Sequence, residues 1–164
     1  YSFTLQKKPW HGGLEQMVFG YITYDGVGSL TRIQGHIDAE YFLDILENDL
    51  DWLKLIDNDL IFQHDKCGPY RARVVDQWFD ANGIPRLNWP SSSPDLNPIE
   101  NIWGILKDMI WEDHDEIRDK DALWQSASRA WYSERVELLI PRLYQSMPRR
   151  ISEVLRNRGL YTNY

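Results

Sequence analysis

The 164-residue sequence predicts an α/β fold, in which helices are layered against a β-sheet. Three observations indicate it. A β-hairpin lies near the amino terminus, two short apolar runs alternate with amphipathic helices in the middle, and the last third of the chain reads as successive helices. The length and the 43% hydrophobic content fit one globular domain over residues 1–164.

The hairpin is the first predicted element. Residues 17–24 are rich in β-branched and aromatic side chains, which favour strands. The dipeptide Asp25-Gly26 follows as a turn signal, and a second strand is predicted over residues 29–34.

The middle of the chain alternates helices with short strands. A helix is predicted over residues 38–53, with Asp38 as its cap, and a second over residues 71–81, with Gly83 as its stop. Each is followed by an apolar run that we interpret as a strand, a buried one over 60–65 that ends in Asp65 and another over 84–89.

A proline- and serine-rich stretch over residues 90–98 predicts a rigid loop. A helix should begin after it, with Asn97 as N-cap, Pro98 in the first turn and Glu100 at the third helical position. From these residues alone Glu100 is either a capping glutamate or a functional acid. Three further helices are predicted over 121–132, 134–145 and 149–158.

Charge and composition bound the function. The net charge of −7 argues against a general nucleic-acid binder, but residues 141–164 hold five arginines and a single acid, Glu153. No apolar run is long enough to cross a bilayer, so we expect no membrane partner. The single cysteine, Cys67, fits a reducing compartment such as the nucleus or cytoplasm.

Several motifs resemble one family in order and spacing. They are the segment SPDLNPIENIW at 93–103, FQHD at 62–65, MVFGYI with DGVG at 17–28, and SMPRRI at 146–151. Thirty-four residues separate Asp65 from Glu100. The sequence thereby resembles the mariner-superfamily (Tc/mariner-type) DDE transposases, in the carboxy-terminal part of their catalytic domain.

The resemblance implies a ribonuclease-H-like mixed sheet flanked by helices, with additional helices at the carboxy terminus. It also implies metal-dependent DNA cleavage and strand transfer in the nucleus, with transposon-end DNA as the partner. In this family an acidic triad holds two Mg²⁺ or Mn²⁺ ions, and the resemblance gives Asp65 and Glu100 as two of these catalytic and metal-binding residues.

Two departures from the family pattern limit these expectations. The first catalytic Asp of the family lies on an opening strand farther upstream of Asp65 than this sequence reaches, and the sequence opens on Tyr1 rather than Met, so we expect a piece of a longer protein. Alone it should bind metal weakly or not at all, and it should show no strand cleavage. Another segment, or a partner chain in a homodimer, should then supply the missing strand.

The second departure follows Asp65, where residues 66–70 read KCGPY. A lysine beside a metal-binding aspartate would offset the negative charge that the metal should balance. The alternative hypothesis is therefore a non-catalytic, domesticated module that acts in protein or DNA interaction, and whether this chain is an enzyme stays open.

Arginines near the carboxy terminus are candidate DNA contacts. Arg149, Arg150, Arg156 and Arg158 could bind phosphates. Cationic side chains at a helix end also complement the helix dipole while staying solvated, so this alternative stays open.

Overall fold

A computed structural model gives the fold, and it describes residues 2–6, 14–49, 60–64, 72–88 and 93–157. Two compact units are present, one made of residues 1–33 and 93–164 and the other of residues 34–92. None of the helices in the described ranges is long and apolar enough to cross a membrane. That 1–164 form a single domain stays a prediction.

The described elements are strands at the amino terminus followed by helices. We number them along the chain as β1 (Ser2–Gln6), β2 (Glu15–Thr23), β3 (Gly26–Arg32), α1 (Ala39–Asp49), α2 (Arg73–Ala81), a 3₁₀ turn (Pro94–Leu96), α3 (Pro98–Glu112), α4 (Lys120–Trp131), α5 (Glu134–Glu137) and α6 (Ile140–Arg156).

The hairpin forms the sheet of the first unit, with β2 antiparallel to β3. Its turn is Tyr24-Asp25, one position earlier than predicted, and Gly26 follows at φ 151°. That backbone conformation is open to glycine and strained for most other residues. A register shift lies between Gly20 and Ile22.

Strand β1 was not predicted. It pairs antiparallel with β2, with Ser2 opposite Phe19 and Gln6 opposite Glu15, so the sheet order is β1-β2-β3. The β1 sequence SFTLQ alternates polar and apolar residues, which is a readable strand pattern. An unpaired strand was the reason to expect a partner chain, and β2 is hydrogen-bonded along both sides. The partner chain that would supply the missing strand stays a prediction.

Helices α3, α4 and α6 share one hydrophobic core with the hairpin. At its centre Trp103 of α3 stacks on Trp131 of α4, with ring centroids 5.0 Å apart. Trp131 also donates from Nε1 to the Gly28 carbonyl at 2.9 Å. The aromatic richness of the sequence therefore serves packing in this unit.

The two predicted carboxy-terminal helices are divided differently in the structure. The segment predicted as one helix over 134–145 contains the short α5 and the start of α6, and α6 continues through Pro148 to Arg156. Pro141 lies in the first turn of α6, where its missing N–H is harmless. Pro148 lacks the N–H for a single helical hydrogen bond, and the helix continues.

The second unit contains α1 and α2. Asp38 caps α1 as predicted, because its side chain accepts from the Tyr41 N–H at 2.8 Å. Gly83 follows α2 at φ 63°, as expected of a glycine stop. Among the described residues of this unit, the buried apolar ones are Ile37, Phe42, Ile45, Leu46, Val75 and Phe79.

Within residues 60–64 and 84–88, which the structure describes, the two strands predicted in this unit form one parallel bridge between Phe62 and Arg86. Pro85 has no N–H to donate, so the hydrogen-bond ladder cannot continue toward Leu60. Ile61 is 59% exposed, so the prediction of a buried strand there was wrong. The far ends of both runs, at Asp65 and Trp89, lie outside the described residues.

Candidate active site

The proline-rich stretch ends in an ordered turn directly before α3. The Leu96 N–H donates to the Ser93 carbonyl at 3.3 Å, and the Asn97 N–H donates to the Pro94 carbonyl at 3.0 Å. Leu96 and Asn97 are both 7% exposed. Two short-range hydrogen bonds and burial therefore fix the backbone where the helix begins.

Asn97 is the N-cap of α3, as predicted. Its side chain accepts from the Ile99 N–H at 3.4 Å, and its carbonyl accepts from the Glu100 N–H at 3.1 Å. Pro98 occupies the first helical position. The cap and the proline together set the direction in which α3 leaves the turn.

Glu100 lies in the first turn of α3 and is half-buried. A helix amino terminus carries partial positive charge, which favours an ionised carboxylate there. In a capping box the glutamate would accept from the Asn97 N–H, but that N–H already donates to Pro94. The Asn97 N–H therefore has a backbone acceptor and does not depend on the Glu100 carboxylate.

Arg150 does not lie where the phosphate-contact prediction needs it. It is 2% exposed, and its guanidinium donates to the Asp95 carbonyl at 3.0 Å and to the Ser146 hydroxyl at 2.8 Å. A buried arginine cannot reach a phosphate without leaving these partners. The prediction of a DNA contact is therefore wrong for Arg150, because the side chain is buried. The sequence shows that this residue is basic but does not show that it is buried.

The other arginines of α6 face solvent. Arg149 and Arg156 are exposed, and so is Arg142, which sequence analysis did not single out. The three are spaced at intervals of seven residues, which places them on one side of the helix at steps of about 10 Å. The seven-residue spacing was readable in the sequence. Arg158 lies outside the described residues.

The chain just before Asp65 is described as far as His64. Phe62 donates its N–H to the Pro85 carbonyl at 2.8 Å, and the Leu87 N–H donates to the Phe62 carbonyl at 2.8 Å. The His64 ring stacks on Phe79, with centroids 6.0 Å apart and planes 5° apart. Asp65 itself is outside the described residues, so its role as a ligand stays a prediction.

Another feature of the described residues is the grouping of side chains that could bind a metal ion. Within the described parts of the chain, no three histidine, cysteine, aspartate or glutamate side chains come together as metal ligands. Asp25 lies exposed in the hairpin turn, and β1 contains no acidic residue. Glu100 is thus the proposed ligand whose surroundings the structure describes.

Sequence comparison places these features in a family. Residues 4–124 match the family model described as DDE superfamily endonuclease, and the chain belongs to that family. It is 34% identical over 158 residues to the transposase of the transposable element Tc1 from Caenorhabditis elegans, covering 94% of this chain and 56% of that protein. The chain therefore spans about half the length of this relative.

Solved structures show the same fold. The catalytic domain of Mos1 mariner transposase superposes with a TM-score of 0.77 at 17% identity, covering 99% of this chain and 82% of that chain. A mariner Mos1 paired-end complex with Mg superposes with a TM-score of 0.78 at 19% identity, covering 96% of this chain and 48% of that chain. The predicted ribonuclease-H-like fold and the resemblance to mariner-type transposases are confirmed.

Proposed function

We propose that this chain contributes to the active site of a DNA transposase that cleaves DNA and transfers strands with divalent metal ions. Asp65 and Glu100 supply two of the three carboxylate ligands, and a residue outside positions 1–164 supplies the third. The observation that carries the proposal is Glu100, which lies in the first turn of a capped helix in a chain of the DDE superfamily endonuclease family.

The residues fit the metal that the family implies. Carboxylate oxygens are the ligands that Mg²⁺ and Mn²⁺ prefer, and the solved complex of Mos1 with Mg supports magnesium for this chain. Two bound ions would activate the attacking oxygen and stabilise the leaving oxygen at a phosphate. The chain's own contribution is to hold the Glu100 carboxylate at the start of α3 through the Asn97 cap and the ordered turn.

The first test compares two acids of the same helix in the full-length protein. The substrate is DNA carrying the sequences that flank its own coding region, and the measurement is Mg²⁺- or Mn²⁺-dependent strand cleavage. Glu100→Gln should lower the rate by at least on the order of 100-fold, because a metal ligand is lost. Asp108→Asn removes the same charge from an exposed position of α3 and should leave the rate unchanged.

Equal rates for wild type and Glu100→Gln would contradict the ligand assignment. Wild-type protein without metal-dependent cleavage would favour the second candidate, a non-catalytic module that acts in protein or DNA interaction. The observation that favours this candidate is the sequence KCGPY at 66–70, which puts a lysine directly after Asp65.

We also propose that the exposed side of α6 contacts the DNA backbone through Arg142, Arg149 and Arg156, with Arg158 as a further contact. A row of guanidinium groups can bind successive phosphates of the DNA backbone. Such contacts position the protein on DNA without reading the base sequence. A DNA substrate also implies a nuclear location.

Salt dependence tests the arginine row. Replacing Arg142, Arg149 and Arg156 together by alanine should weaken binding of the full-length protein to fluorescent duplex DNA, measured by anisotropy. The slope of log affinity against log salt should shrink by about 3, one unit for each lost phosphate contact. Arg118→Ala, at an exposed position before α4, is the control. An unchanged slope in the triple variant would remove the row from the DNA interface.

A further inference from the structure

Arg150 is the buried charged residue of α6, at 2% exposure. A guanidinium stays charged at every accessible pH, so its burial carries a desolvation cost unless it is hydrogen-bonded. An aliphatic side chain of similar volume could fill this space without that cost. The hydrogen bonds of the guanidinium must therefore offset the desolvation cost of its charge.

Its two described partners are arranged to receive it. The Ser146 hydroxyl lies one helical turn earlier and donates its own proton to the Leu143 carbonyl at 2.6 Å. It consequently accepts from Arg150 Nε at 2.8 Å. This contact holds the guanidinium in one orientation, in which Nη1 donates to the Asp95 carbonyl at 3.0 Å.

Asp95 is the central residue of the 3₁₀ turn, 55 positions away in the sequence. The turn leads through Leu96 and Asn97 into the first turn of α3, which carries Glu100. Arg150 thus ties α6 to the backbone five residues before the proposed ligand.

We propose that Arg150 is a positioning residue, which fixes the turn at Asp95 and thereby the place of the Glu100 carboxylate. The inference rests on the proposed function of Glu100 as a metal ligand. Catalytic carboxylates must be held within about 0.5 Å of their productive position, and a hydrogen bond to the turn restricts the start of α3 directly.

The test uses the full-length protein and three variants. Arg150→Met keeps most of the side-chain volume and removes the donors, while Arg150→Lys keeps the charge and one donor group. Arg118→Met is the control, since it changes an exposed arginine that lies outside α6 and outside the proposed row of DNA contacts. Each protein is compared by thermal unfolding, by amide hydrogen exchange at Leu96, Asn97 and Glu100, and by the Mn²⁺ concentration at half-maximal DNA cleavage.

A positioning role predicts a specific pattern. Arg150→Met should exchange these three amides at least about 10-fold faster, and it should need about 10- to 100-fold more Mn²⁺. Saturating Mn²⁺ should restore most of the maximal rate, which a general loss of folded protein would not allow. Arg150→Lys should fall between Arg150→Met and wild type, and Arg118→Met should match wild type in all three measurements.

Two results separate this inference from the proposed function. Wild-type cleavage that is abolished by Glu100→Gln but keeps its Mn²⁺ requirement in Arg150→Met would overturn the inference alone. Absence of cleavage in wild type would overturn the proposed function, and the exchange rates would still decide whether Arg150 orders the turn. If Arg150→Met does not fold, Arg150→Lys and Ser146→Ala, which removes the Nε acceptor, serve in its place with the same expected direction.

Discussion

The turn before Glu100 and the segment before Asp65 are stabilised by different ranges of contact. Before Glu100, the acceptors for the Leu96, Asn97 and Ile99 amides are at most three residues away. Before Asp65, Phe62 binds Pro85 and Leu87, more than 20 residues along the chain. The backbone amides before Glu100 find their acceptors locally, whereas those before Asp65 depend on a partner segment brought in by folding.

The difference explains why the sequence predicted one segment better than the other. Asparagine at an N-cap and proline in a first helical turn act locally, so Asn97 and Pro98 predicted the start of α3 correctly. The bridge at Phe62 is set by the placement of Arg86, which no local pattern encodes. Arg150 shows the same limit, because its burial depends on Asp95, 55 residues away.

Replacing Trp103, which lies one helical turn after Glu100 in α3, should give the largest effect on the free energy of unfolding. Trp103 is 1% exposed and stacks on Trp131, so Trp103→Ala should reduce the free energy of unfolding by about 3–5 kcal/mol. Trp111 lies on the same helix at 47% exposure, and Trp111→Ala should cost less than about 1 kcal/mol. Denaturant unfolding measures both, and equal losses would contradict the packing described for α3.

Replacing the ring that packs against the segment before Asp65 should come next. Phe79 is fully buried and contacts Phe62 and His64, with ring centroids 4.9 and 6.0 Å away. Phe79→Ala should cost about 3 kcal/mol and should accelerate amide exchange at Phe62 and Leu87. Val74→Ala, at a 43% exposed position of the same helix, is the control. Slow exchange at Phe62 in Phe79→Ala would mean that the bridge stands without the aromatic cluster.

Alkaline pH should give the smallest effect. Burial raises the pKa of Tyr144 to about 12 from 10.0, and its hydroxyl donates to the Ile22 carbonyl at 3.2 Å. The folded state therefore holds this proton more tightly than the unfolded state, so the stabilisation is complete below pH 10 and is lost between pH 10 and about 12.

Between pH 9 and pH 11 the wild-type free energy of unfolding should fall by about 1 kcal/mol more than that of Tyr144→Phe. Both proteins are unfolded with urea at pH 9, 10 and 11. Parallel pH profiles would show that the phenol ionises equally in the folded and unfolded states. The contact between Tyr144 of α6 and Ile22 of β2 would then not hold the phenol proton.

Family membership and fold class were predictable because the motifs carry them in short stretches of sequence. The division between α5 and α6 was not predicted: one helix was expected over 134–145, and the structure has two there. Burial separated Arg150 from Arg149, although the two are adjacent and chemically identical. A count of basic residues cannot make that distinction.

Two glycines in the hairpin restrict how this protein can vary. A Cβ on Gly20 would lie 3.0 Å from the Trp131 ring, and a Cβ on Gly28 would lie 2.0 Å from the Tyr21 ring. In a library randomised at all four positions, a larger residue at 20 should be recovered together with a smaller residue at 131, and a side chain at 28 with a smaller residue at 21. Residues of the hairpin and of α4 would then vary together rather than independently.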